Sequence, residues 1–244
     1  MKNINISEYA YKTELHAHTN PVSACSQITP EDAVAAYIEA GVKTLTITNH
    51  LTEHHLVGFS SNAEVAEYYL SDYYRAKKAA EGTSLNVCLG AEMRFASTNN
   101  DYLLFGFAPE EMDRIISYIP RTVEEFYRDF KNDKNVLIHA HPRRANMDPT
   151  PYGSIDGVEV YNLHPGIEAR MVYTAHDARE RDLLVTGGSD FHGCGNGAIK
   201  KSAICVMRTK AELRDSFDVA AAIKSRDVIF DMFGHIILPY FHVQ

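Results

Sequence analysis

Thr13-Glu-Leu-His-Ala-His18 is a short strand-like run that ends in two histidines two positions apart. Side chains along a strand repeat every second residue, so His16 and His18 are expected to leave it on one side. Three more runs end in the same way: Val42-Lys-Thr-Leu-Thr-Ile-Thr-Asn-His50, Asn135-Val-Leu-Ile-His-Ala-His-Pro142 and Leu183-Leu-Val-Thr-Gly-Gly-Ser-Asp-Phe-His192. The pairs His139/His141 and Asp190/His192 repeat the two-residue spacing, and each is expected to share a side of its strand. Neutral imidazoles and carboxylates that converge from several strand ends make a site for divalent metal ions.

Working outward, strand-like and helix-like patterns alternate. Strands are predicted over 14–18, 43–48, 85–91, 101–107, 136–140, 157–161, 183–186, 202–207 and 228–233. Thr29-Pro-Glu-Asp starts a helix: Thr29 is the N-cap, Pro30 takes the first helical position, and Gly41 stops the run. Further helices are predicted over 62–81, 109–118, 123–131, 167–181 and 210–224. Such alternation argues for a parallel sheet. Ligand-type residues recur at the C-terminal ends of strands, where barrel enzymes keep their chemistry. The expected fold is therefore α/β, a closed, irregular (β/α) barrel, with no linker or repeat to divide it.

The 244 residues suit one such domain, expected over 1–244, and the 45% hydrophobic and 23% charged content is that of a globular protein. A net charge of −8 argues against long nucleic acid as a partner. Cys25, Cys88, Cys194 and Cys205 form no CxxC pair, which fits a reducing cytoplasmic location. No signal-peptide or membrane-spanning run is present, so no membrane partner is expected. Ile236-Ile-Leu-Pro-Tyr-Phe241 reads as a packed tail or a subunit contact. Oligomeric state cannot be read from the sequence.

Glu92 follows Val87-Cys-Leu-Gly-Ala, where a carboxylate is either solvated or a ligand, and a bridging carboxylate is a recurrent device of two-metal hydrolases. Of His139 and His141, one suffices as a ligand and the other can orient it. Arg143 and Arg144 follow at once; beside a metal cluster their guanidinium forks suit phosphate, and the alternative is a solvated pair. Arg94 and His164 complete the candidate substrate contacts. Tyr68, Tyr69, Tyr73 and Tyr74 recur at helical spacing and read as packing or a contact surface.

Taken together and in order, Leu15-His-Ala-His-Thr19, Ile47-Thr-Asn-His50, Gly90-Ala-Glu92, Ala140-His-Pro142 with Arg144, and Gly188-Ser-Asp-Phe-His192 resemble the polymerase and histidinol phosphatase (PHP) family of metal-dependent phosphoesterases. The resemblance implies an irregular (β/α)7 TIM-like barrel holding two or three divalent ions of Mn, Fe or Zn. It favours His141 as the ligand of its pair and Arg144 as a phosphate contact. It places His16, His18 and Asp190 on one ion and His141 with Asp101 on another, Glu92 bridging. His50 and His192 then complete a third site or act on the substrate as acids. The chain departs from the family pattern at Asn49, at Ala24, where Cys25 is the available substitute, and at Asp101. The implied activity is hydrolysis of a small phosphomonoester by a metal-bound hydroxide. The alternatives are a phosphodiesterase or exonuclease acting on short nucleotides, a metal-dependent amidohydrolase, and a non-catalytic metal-binding regulatory barrel.

Overall fold

In this computed structural model, residues 4–164, 168–193 and 204–240 are described. The first strand, β1 (Tyr11–Ala17), is followed by α1 (Pro30–Glu39), capped as expected: the Thr29 side chain accepts from the Asp32 N–H. Next come β2 (Thr44–Ile47), β3 (His50–Leu51), the long α2 (Asn62–Ala80), β4 (Asn86–Leu89), β5 (Ala91–Arg94) and β6 (Asp101–Phe105). Then follow α3 (Met112–Ile116), α4 (Val123–Phe130), β7 (Val136–His139), β8 (Gly157–Asn162), α5 (Met171–Glu180) and β9 (Leu184–Gly188). The order ends with β10 (Cys205–Thr209), α6 (Ser216–Ser225), β11 (Ile229–Met232) and β12 (His235–Ile237).

The described strands make two mixed sheets, β12-β11-β10-β1-β2-β4 and β3-β5-β6-β7-β8-β9. The expectation of a parallel sheet is therefore corrected. β1, β2 and β4 are parallel, as are β3 with β5 and β7 with β8 and β9. β6 runs against both its neighbours, and β10, β11 and β12 are antiparallel. At two of these reversals, β5 to β6 and β11 to β12, the physical reason is connection length. The loop at 95–100 and the Phe233-Gly234 turn, both of whose residues have positive φ, are too short for a crossover helix.

Two breaks pass chains from one sheet to the other. β2 continues into β3 across Thr48-Asn49, and β4 into β5 across Gly90. Pairing persists through both: the Gly90 N–H donates to the Ile47 carbonyl (2.9 Å) and the Glu92 N–H to the Asn49 carbonyl (3.1 Å). A Cβ at Gly90 would lie 2.8 and 2.9 Å from the Thr48 and Thr46 methyls, so the crossing needs glycine. Beyond β9, Phe191 bridges in parallel to Ala17, with the His18 N–H donating to the Phe191 carbonyl (2.9 Å).

The core is continuous, with Leu15, Leu45, Ile47, Leu51, Met93, Phe105 and Phe230 essentially inaccessible to solvent. Each such side chain is worth roughly 1.5–3 kcal/mol of burial. On α2 the tyrosines divide: Tyr69 and Tyr73 are buried and Tyr74 is exposed. The Tyr69 hydroxyl reaches the Asn49 and Gly90 carbonyls (2.6 and 3.2 Å), so α2 clamps both sheet breaks.

Some expected boundaries move. The last helix begins at Ser216, not Lys210, because Asp215 caps it and the Leu213 carbonyl is occupied by Thr44 Oγ1 (2.8 Å). Pro109–Glu111 is a 3-10 turn ahead of a short α3. α5 starts at Met171, since Arg170 is left-handed (φ 48°); residue 167 of that predicted helix, and 202–203 of the predicted late strand, lie outside the described residues. The apolar tail packs: Ile236 and Ile237 pair with β11, and Tyr240 Oη accepts from the Val185 N–H (2.6 Å). Residue 241 lies outside the described residues. No helix among the described residues is long and apolar enough to cross a membrane.

Candidate metal centre

Among the described residues, ligand-type side chains from several strands converge at one end of the sheets. His16 lies in β1 and His18 just beyond it; His50 opens β3; Glu92 lies in β5. Asp101 is at the start of β6, and the reversal of β6 puts that start at the end where its neighbours finish. His141 and Asp190 follow β7 and β9, both with left-handed backbones (φ 32° and 48°). That turn swings each side chain away from the strand's alternation and into the cluster.

Glu92 is the hub. Its Oε1 lies 2.9 Å from His141 Nε2 and 3.2 Å from His16 Nε2; its Oε2 lies 2.7 Å from His50 Nδ1 and 3.4 Å from His18 Nε2. Asp190 Oδ1 stands 3.3 Å from His18 Nε2, 3.6 Å from His16 Nε2 and 3.4 Å from His192 Nδ1. Asp101 Oδ2 is 3.9 Å from His141 Nε2. Among the described residues, four triads have ligand atoms within 4.8 Å of one another: His16/His18/Glu92, His16/His141/Asp190, Glu92/Asp101/His141 and His18/His50/His192.

These atoms fit cations better than they fit each other. His16 Nε2, His18 Nε2 and Glu92 Oε2 are buried without a hydrogen-bond partner although they crowd together. An orphaned buried polar atom normally costs about 1–3 kcal/mol; aimed at a common point with a carboxylate, such atoms are what an ion satisfies. Imidazole and carboxylate donors together suit Mn, Fe and Zn alike.

The electrostatics agree. Burial alone would lower His16, but the carboxylates of Glu159, Asp190 and Glu92 hold it well above the usual histidine range. His50 is likewise carried against its burial to about 10, chiefly by Glu92. His18 goes the other way, depressed by burial and by His50. Burial would raise Glu92 and Asp190, yet the facing imidazoles hold both well below the carboxylate range.

A second layer aims these ligands. Glu159 Oε1 takes the His16 Nδ1 side (2.9 Å), leaving Nε2 for the cluster. Its Oε2 accepts from the His141 N–H (3.1 Å) and Asn162 Nδ2 (2.9 Å). Glu14 Oε1 accepts from the His16 and Ser189 N–H groups (2.9 and 3.0 Å). Sequence reasoning missed Glu159 and Glu14. The available signal was a lone acid inside an otherwise apolar strand, as in Val158-Glu-Val160. Asn49, the departure from the family pattern, is a structural hub: Oδ1 accepts from the Thr19 N–H (2.7 Å) and Ser23 Oγ (3.0 Å), and Nδ2 donates to Asp72 (3.2 Å).

The other expected residues separate. His139 does not share a side with His141: it pairs in register with Tyr102, its ring stacks on the Tyr102 ring at 5.2 Å, and both its nitrogens lack partners. It therefore orients no ligand, because His141 has already left the strand. Burial and the charge of His141 push His139 down to about 3. Arg144 contacts Asp190 and donates to Asn162 Oδ1 (2.7 Å), so it stands at the cluster. Arg143 pairs with Asp177 and points away. Arg94 is held by Asp101 in a two-pronged pair (2.8 and 2.7 Å). The His164 ring lies 5.1 Å from that of His192. Burial would raise the Cys25 thiol, but the nearby His192 and His50 outweigh it and bring it down to about 6; Cys194 lies outside the described residues.

A model of the PHP domain family matches residues 14–183. The chain belongs to the PHP family. Its fold is shared with a two-domain protein of Bacteroides vulgatus that contains a predicted PHP-like metal-dependent phosphoesterase (16% identity, TM-score 0.64, covering 91% of this chain). This PHP chain spans 64% of that protein's length. A Bifidobacterium adolescentis protein, named by inference as a metal-dependent phosphoesterase, aligns at 17% identity and TM-score 0.53 over 88% of this chain and 96% of its own. An amidohydrolase of Chromobacterium violaceum, solved with bound sulfate and no metal, aligns at 13% identity and TM-score 0.52 over 76% of this chain and 89% of its own. No curated protein matches the chain.

Proposed function

We propose that this PHP protein is a metal-dependent phosphoesterase that hydrolyses a small phosphomonoester. The observation that carries the reading is the convergence of four imidazoles on the buried Glu92, with Asp190 and Asp101 on either side. Glu92 would sit between two ions, with His16, His18 and Asp190 on one and His141 and Asp101 on the other. Divalent ions held there would acidify a bound water and offset charge developing on the phosphoryl group.

The chain's own residues supply the rest. Arg144 is the cation best placed for a phosphoryl oxygen, because it already reaches Asp190 and its Nε is buried without a partner. It also lines a cavity of about 520 Å³ shared with Arg143, Arg170 and Arg181 and with the acids Asp148 and Asp177, the latter paired with Arg143. An anionic substrate suits such a wall. The sulfate in the Chromobacterium neighbour is consistent with an oxyanion in this fold. His50 and His192 are partly exposed where His16 and His18 are not, so a leaving group can reach them.

The reading includes a closed seven-stave barrel, in which β2–β3 and β4–β5 each count once. The Ala17–Phe191 bridge supports closure between β9 and β1. It also includes one domain over residues 1–244. The test is a screen of metal-reconstituted protein against sugar and nucleoside monophosphates and short single-stranded oligonucleotides. Asp190→Asn and Glu92→Gln serve as controls. Monoester turnover lost in both variants supports the proposal. Turnover of oligonucleotides alone replaces it with a phosphodiesterase, and no turnover by a fully loaded protein replaces it with a non-catalytic metal-binding barrel.

A further inference from the structure

We infer that Asp72, on α2 and outside the cluster, is a positioning residue for His18. Acting through Asn49 and Ser23, it fixes the imidazole with its proton on Nδ1 and leaves Nε2 bare for an ion. The inference rests on reading the cluster as a metal centre, and not on its substrate.

Each proton along the path has one place to go. Asp72 is fully buried and, as a carboxylate, only accepts. Its Oδ2 receives the Thr19 hydroxyl (2.9 Å), the Val22 N–H (3.2 Å) and Asn49 Nδ2 (3.2 Å), and Arg75 Nη1 donates to Oδ1 (3.2 Å). The second Nδ2 proton of Asn49 goes to Thr19 Oγ1 (3.0 Å). The other face of the amide is then its oxygen, and the Thr19 N–H, which can only donate, lies against it (2.7 Å). That oxygen also receives the Ser23 hydroxyl proton (3.0 Å). Ser23 has no further proton, so its Oγ accepts from the His50 N–H (2.9 Å) and from His18 Nδ1, 3.3 Å away. His18 Nδ1 therefore carries the proton. Its Nε2 is left as a lone pair, buried without a hydrogen-bond partner, 3.4 Å from Glu92 Oε2 and 3.3 Å from Asp190 Oδ1.

The result parallels His16, whose Nδ1 is taken directly by Glu159 (2.9 Å). Behind each of these two histidines stands a buried carboxylate. For His18 it acts across two uncharged groups, so the orientation is passed on without a further negative charge against the ring. The amide at position 49 is required. A carboxylate there has no proton for Asp72 and would face it at the 3.2 Å now spanned by the Asn49 hydrogen bond. The Ser23 hydroxyl also holds the His50 backbone, so the same path fixes where β3 begins.

The full chain, carrying isotopically labelled histidine and stripped with chelator, tests this by NMR and zinc titration. Wild type should show His18 with its proton on Nδ1. Ser23→Ala should lose that preference and bind zinc at least about tenfold more weakly. Asn49→Asp should weaken zinc binding by a similar factor. Asp72→Asn should weaken binding in the wild-type background, yet strengthen it by at least about threefold in Asn49→Asp, because it removes one of two facing carboxylates. A merely structural role moves neither the tautomer nor the sign of that effect. If Asn49→Asp does not fold, the tautomers of wild type and Ser23→Ala decide. His18 protonated on Nε2 in wild type, an unchanged tautomer and affinity in Ser23→Ala, or additive losses in the double variant overturn the inference. Hydrolysis is scored separately: zinc uptake with this tautomer but no phosphoester turnover keeps the inference and rejects the phosphoesterase reading, and turnover with the proton on Nε2 does the reverse. Wild type that takes up no zinc overturns both.

Discussion

Replacing Glu14 by Gln should stabilise the protein, by an amount that grows as pH rises from about 4.5 and is full above about 7. Glu14 is completely buried. Its Oε1 accepts from the His16 and Ser189 N–H groups and its Oε2 from the Tyr37 hydroxyl (3.0 Å). Burial pushes its carboxyl from the ordinary 4.5 up to about 7, and those hydrogen bonds only partly oppose the rise. The unfolded chain releases this proton near 4.5, whereas the folded chain keeps it to about 7. Between the two values the folded state binds more protons, so stability falls as pH rises and levels off above about 7. That gap corresponds to about 3 kcal/mol. Glutamine preserves all three bonds, its carbonyl accepting both N–H groups and its amide donating to Tyr37 Oη. Urea unfolding of both proteins, treated with the same chelator, measures the difference. The variant should gain up to about 3 kcal/mol near pH 8 and little near pH 4.5. A variant no more stable than wild type at pH 8 would refute the reasoning and show that the buried charge is compensated by groups beyond these three.

Other expectations separate the residues of the site. His139→Phe should leave metal content unchanged and stability equal or higher, because two unpartnered nitrogens are replaced by an apolar ring on Tyr102; His141→Ala should lower metal content, and elemental analysis of the pair reverses the assignment if the effects are swapped. Gly188→Ala places a Cβ against the His16 side chain and 3.0 Å from its backbone nitrogen; a loss of about 1–3 kcal/mol together with weaker metal retention is expected, and unchanged values would mean that the strands yield there. His16 and His50, both held above the usual histidine range, must lose protons to ligate. Metal binding should therefore release protons and weaken as pH falls, and calorimetry in buffers of different ionisation enthalpy that finds no release near pH 6 counts against the cluster.

Much of the site was legible because its chemistry is local. A His-x-His at a strand end, a lone carboxylate after an apolar run and a Gly-Gly-Ser-Asp-Phe-His turn are each short, and each ligand falls where a strand meets its loop. The same period-of-two argument failed at His139/His141, because a left-handed residue ended the alternation between them. It also could not show the direction of β6, since a hairpin and a crossover leave similar apolar runs. Glu159 and Glu14 escaped notice because their task is to aim His16, and that is defined only by which strands become neighbours.

The sequence by itself determined the α/β class, the capped start of α1, the family and the ligand types, all of which follow from backbone propensity, side-chain period and residue chemistry over a few positions. Tertiary structure alone decided that Glu92 faces four imidazoles, that Arg144 reaches the cluster while Arg143 turns to Asp177, and that Asp72 is linked to His18 through Asn49 and Ser23. These depend on strand order and on sheet breaks that bring together residues far apart in the chain, and such proximity leaves no mark on any local stretch of sequence.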